Sequence, residues 1–157
     1  MNNTINTNHA VNLLVSQGIA FNVAVLLCWD ALSPTEKKSL NRNECRLIWD
    51  IALDGTSEKA EIWTLLVSKM KTADHFFQLW DQLPDYSLEN DQIFSRFKQE
   101  VSSFDKALWF WRNSHGPENK KTKLRELLKE LASDFRDYKW LWLNNDRSDQ
   151  EKRDILF

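Results

Sequence analysis

The side chains able to do covalent or acid–base chemistry are few in this sequence, and they are scattered. Histidine occurs three times, at His9, His75 and His115, and no two lie at the close spacing by which helical metal sites pair their ligands. Arg112-Asn113-Ser114-His115 is the nearest approach to a catalytic cluster. It sits before Gly116-Pro117, where a histidine reads most simply as a cation at a helix C-terminus. Two carboxylate pairs, Asp134 with Asp137 and Glu126 with Glu130, have the spacing that puts both members on one helix face. Arg125, Lys129 and Arg136 are interleaved with them, so a mixed-charge solvated surface accounts for them better than a general acid and base held at separated pKa values. The glycine-rich phosphate loop, the Gly-x-Ser-x-Gly turn and the Cys-x-x-Cys pair are all missing. No cofactor or metal is expected, and no enzymatic activity.

The elements that position these residues read as helices. Three glycines and three prolines in 157 residues leave too few turns for a many-stranded sheet. A first pair spans about 8–32, split at Gly18, a residue that enters the left-handed conformation freely. Ser33-Pro34-Thr35-Glu36 forms a capping box with proline in the first turn, and Asn41 with Glu44 offers another start, closed by Asp54-Gly55. Short helices follow from Thr56 to Met70 and from Thr72 to Leu83, the second stopped by Pro84.

From Leu88 onward the apolar spacing lengthens. Phe94, Phe97, Val101, Phe104, Leu108 and Trp111 recur at intervals of three and four, predicting one helix from about Leu88 to Asn113. After Gly116-Pro117, Leu124, Leu128, Leu131, Phe135, Tyr138 and Trp142 do the same. Two matched stripes joined by a breaker predict a long antiparallel hairpin. Ser148 with Glu151 signals a short terminal helix over about 149–157. The expectation is thus a single all-α domain over 1–157, with a short-helix half at about 8–84 and a long-hairpin half at about 88–145. An echo runs through the first half. LLVS occurs at 13–16 and 65–68, and Trp-Asp-x-Leu at 29–32 and 80–83, offsets of 52 and 51, compatible with a duplicated helical hairpin.

Composition frames the function. A hydrophobic content of 42% and a net charge of −2 describe an ordinary globular chain rather than a disordered tail or a polycation. The stretch from Leu13 to Trp29 is interrupted by Ser16, Gln17, Gly18 and Asn22, too short and too polar for a membrane span, and the N-terminus lacks a basic leader. Cys28 and Cys45 lie among apolar residues, which fits free thiols and a reducing cytoplasm.

Charge and aromatics converge on one stretch, the tip of the predicted hairpin. Between Glu118 and Lys129 lie Lys120, Lys121, Lys123, Arg125 and Lys129 against two glutamates, at a helix start where the macrodipole prefers anions. The chain holds eight tryptophans and nine phenylalanines, and Trp109, Phe110 and Trp140 fall outside the hairpin seam. The expected function is that of a non-catalytic helical binding protein: an inhibitor, immunity protein, adaptor or small subunit that meets a protein partner through Trp109, Phe110, Arg112, His115, Lys120, Lys121, Lys123, Arg125 and Trp140. A subunit contacting nucleic-acid phosphates through the basic tip is the alternative. An all-helical enzyme with a site built from distant residues is the third reading, and self-association is compatible with all three. Buried free thiols carry a direct expectation: thiol reagents label Cys28 and Cys45 slowly in the native protein and fully once it is denatured, and rapid native labelling of both contradicts the assignment.

Overall fold

The computed structural model of the chain describes residues 3–144, with side chains from 9 onward. Among the described residues there are ten α-helices and no strand, so the all-α expectation holds. The predicted terminal helix, with Ser148 and Glu151, lies outside the described residues. The chain divides into two compact units, 1–71 and 72–157.

The first unit comprises α1 (Asn3–Ser16), α2 (Phe21–Ala31), α3 (Pro34–Ser39), α4 (Arg42–Ile51) and α5 (Ser57–Ser68). α1 pairs with α2 and α4 with α5, and α2 also touches α4 and α5. The turns follow the local code. Gly18 and Gly55 take φ of +89° and +76°, the left-handed conformation that stops α1 and ends the α4 to α5 connection. Both expected capping boxes form: Ser33 with Glu36 opens α3 and Asn41 with Glu44 opens α4. Val11, Ala24, Val25 and Cys28 form a buried cluster against which Ile48 and Ile51 pack. Both cysteines are free and buried, and burial raises their thiol pKa values. Trp29 is buried, with its indole N–H donated to Glu61 at 3.1 Å. That bond, with Lys37 beside it, holds the Glu61 carboxyl below its usual range.

The second unit contains α6 (Ala73–Gln82), α7 (Leu88–Glu100), α8 (Phe104–Asn113), α9 (Glu118–Leu131) and α10 (Phe135–Leu143). Its pairs are α6 with α7 and α8 with α9, and α10 rests on α9. Its core is aromatic. Trp80 stacks on Phe94 with centroids 4.8 Å apart, and Phe110 meets Phe77 at 4.8 Å and Phe97 edge-on at 4.9 Å, geometries favoured by ring quadrupoles.

The expected long hairpin is interrupted on both arms. The first arm stops at Val101 and restarts at Phe104, where the Ser103 hydroxyl accepts from the Lys106 N–H. The second stops at Ala132 and restarts at Phe135. There Asp134 accepts from the Asp137 N–H while Asp137 reaches back to the Ser133 N–H. Short polar side chains compete with the helical backbone in this way wherever they can cap a new start. The Asp134 and Asp137 pair is therefore a helix-start device. The second break also changes the register. α10 buries Asp137 and Leu141, and turns Phe135, Tyr138 and Trp142 outward instead of continuing the leucine seam.

The sequence echo has a structural counterpart. Each LLVS ends a helix, α1 or α5, with the serine hydroxyl donating to the leucine carbonyl three residues back, Ser16 to Leu13 and Ser68 to Leu65, both at 2.6 Å. Each Trp-Asp-x-Leu closes the next helix, α2 or α6, with the leucine N–H donated to the tryptophan carbonyl and the tryptophan buried.

The packing in the second unit predicts a split in stability. Leu128→Ala and Phe104→Ala should each cost about 2 to 5 kcal/mol in urea unfolding, since both side chains are buried and their loss leaves cavities. Glu126→Ala, which gives up a surface pair with Lys129 at 2.9 Å, should cost under about 1 kcal/mol.

Candidate functional site

The basic tip becomes a different object once folded. Lys120, in the first turn of α9, is 1% exposed. Its ammonium donates to the carbonyls of Trp80 and Leu83, the latter at 2.6 Å, and lies 5.1 Å from the centroid of the Trp80 ring. Asp85 stands 3.9 Å away. Burial pushes the Lys120 pKa down, and Asp85 and Asp81 pull it back up. The same two carbonyls receive the Asn90 side-chain amide at 3.5 Å, and the Asn90 carbonyl oxygen accepts from the Trp80 indole at 3.2 Å. Asp81 fastens the α8 to α9 turn, accepting from the Ser114 hydroxyl at 2.8 Å and the His115 N–H at 3.2 Å. Gly116 is required for this approach: a Cβ there would stand 2.8 Å from Lys120 Cδ and 2.9 Å from Asp81 Oδ1.

Most other expected contact residues are also engaged within the unit. Lys123 pairs with Asp91 at 3.3 Å and Arg125 with Glu118 at 4.0 Å, while Lys121 lies 5.3 Å over the Trp111 ring. Phe110 is buried in the aromatic core, and Trp140 is wedged edge-on between Phe104 and Trp111 at 6.0 and 5.1 Å. Arg112, His115 and Trp109 remain exposed, so the nine residues do not form one open surface. Lys120, expected among the partner-contact residues, is instead a buried cap on the C-terminal end of α6.

Two apolar features went unread in the sequence. The outer side of α10 carries Phe135, 77% exposed, Leu143, 62% exposed, and the part-exposed Tyr138 and Trp142. In the first unit, α1, α2 and α4 enclose a cavity of about 390 Å³. Val11, Val25, Trp29 and Leu40 are its buried walls, Phe21 and Leu47 stand exposed beside it, and Asn12 and Glu44 are its polar lining. Leu47, Ile48 and Ile51 of α4, spaced as an apolar stripe in the sequence, supply part of its lining. Among the described residues no three His, Cys, Asp or Glu side chains gather as metal ligands would, and no helix is long and apolar enough to cross a membrane.

No family model, curated protein or solved structure matches this chain.

The caps make a measurable distinction between neighbouring lysines. Lys120→Glu removes a buried cation and sets a carboxylate against two carbonyls, Asp81 and Asp85, so urea unfolding should show a loss of about 3 kcal/mol or more. Lys121→Glu and Lys123→Glu should each change stability by no more than about 1 kcal/mol.

Proposed function

We propose that this chain is a non-catalytic helical binding protein that docks a protein partner on the outward face of α10. One observation carries the reading. Phe135, Tyr138 and Trp142 recur at intervals of three and four, a helical stripe of the kind that normally enters a core, and they and Leu143 beside them are exposed. Aromatics clustered on one exposed face are the residues that dominate protein interfaces once water is excluded. The inner side of the same helix is held by Leu141 and Trp140, so the stripe is presented on a supported element.

The alternative of phosphate contact at the tip draws less support, because Lys120 is buried and Lys123, Arg125 and Lys129 have acidic neighbours within 4.0 Å. A chain with net charge −2 also lacks the long-range field that steers binding to nucleic acid.

Recovery of the tagged chain from its native cells tests the reading. The expected result is a stoichiometric protein that stays bound after nuclease treatment and is lost with Phe135→Ser plus Leu143→Ser, a variant whose helical circular dichroism matches wild type because neither side chain is buried. Retention of the partner by that variant, or release of the partner by nuclease alone, overturns the proposal.

A further inference from the structure

The cavity of the first unit has the form of a small-molecule site rather than a surface furrow. Its lining converges from three helices and the α3 to α4 turn, whereas a helical peptide needs a trench that runs alongside several of its turns. Val25, Trp29 and Leu40 are almost completely buried and make the floor, and Phe21, 49% exposed, and Leu47, 62% exposed, flank the mouth. The volume, about 390 Å³, falls within the range of small-molecule pockets, about 300 to 1,000 Å³.

The polar groups narrow the chemistry. Trp29 has already given its indole N–H to Glu61, so it offers the cavity carbon surface. Among the described lining residues Glu44 is the one ionisable side chain. Its carboxylate is held in place by the Asn41 N–H at 2.8 Å as half of the α4 capping box. A fixed negative group beside an apolar floor disfavours an anionic head and suits a hydrogen-bond donor or a cation.

We propose that this cavity binds a medium-chain amphiphile, an alkyl body with an amine or alcohol head, the body lying on Val25, Trp29 and Leu40 and the head reaching Glu44. The site is in the first unit and is independent of the α10 surface.

The test uses the full chain and N-phenyl-1-naphthylamine, a neutral dye that fluoresces in apolar sites. Saturable one-to-one binding is expected, with displacement by decylamine and decanol and displacement about tenfold weaker by decanoate, the scale of one charge-assisted contact. Glu44→Gln should close the gap between amine and carboxylate while leaving decanol unchanged. Ile48→Trp, which fills the cavity, and Leu47→Asp, at its exposed mouth, should each weaken dye binding by about tenfold or more. Leu47→Asp keeps the test decisive where Ile48→Trp fails to fold by circular dichroism. Absence of saturable binding to wild type, dye affinity unchanged by Leu47→Asp, or decanoate binding as tightly as decylamine overturns the proposal. So does an amphipathic leucine-lysine helical peptide that displaces the dye at lower concentration than decylamine, which would make the site a peptide groove.

Discussion

The second unit depends on how the C-terminal end of α6 is satisfied. A helix leaves its last carbonyls without intrahelical donors, and here the carbonyls of Trp80 and Leu83 are buried among aromatics. Lys120 from α9 and Asn90 from α7 supply the donors, and Asp81 on the same turn takes the α8 to α9 connection. One helix end thereby binds three other segments. The cation is also correctly placed for the dipole of α6, which is negative at that end. Its desolvation is offset by two carbonyls, the Trp80 ring and a nearby carboxylate, the multiple partnering a buried charge requires.

The device recurs on a smaller scale. In the first unit Lys59 donates to the carbonyl of Ala52 just past α4, at 3.1 Å, and to Asp54, while Lys69 donates to the carbonyl of Lys38 in α3 at 2.8 Å. Short helices have a high ratio of ends to middle, so a chain made of pieces of six to fourteen residues must satisfy many terminal groups. It does so at the N-termini of α3 to α8 and α10 with local Ser, Thr, Asn and Asp caps, and at these three C-termini with lysines brought from elsewhere. Basic residues that look surplus along the sequence are thus partly structural.

Both apolar features of functional interest follow from the same shortness. The break at Ala132–Asp134 frees α10 from the register of α9, so its aromatic stripe rotates outward. In the first unit, the short helices α1, α2 and α4 converge around a space they line but do not fill.

Local information determined much of this protein. The all-α class, the Ser33 and Asn41 capping boxes, the glycine turns at Gly18 and Gly55, and the buried character of Cys28 and Cys45 were legible because each depends on residues within a few positions or on periodicity within one helix. The seam residues Phe97, Val101, Phe104, Leu124 and Leu128 were legible as core, but their division into two helix pairs was not. Ser103 and Asp134 each chose between continuing a helix and capping a new one, a choice decided by how the flanking pieces pack. Lys120 is the clearest case. Along the chain it is a cation at the unfavourable start of α9, and in the fold it is a cation at the favourable end of α6. Only tertiary structure could reverse that sign, because the dipole that matters belongs to a helix some forty residues earlier, and no local pattern records which helix end a side chain will meet.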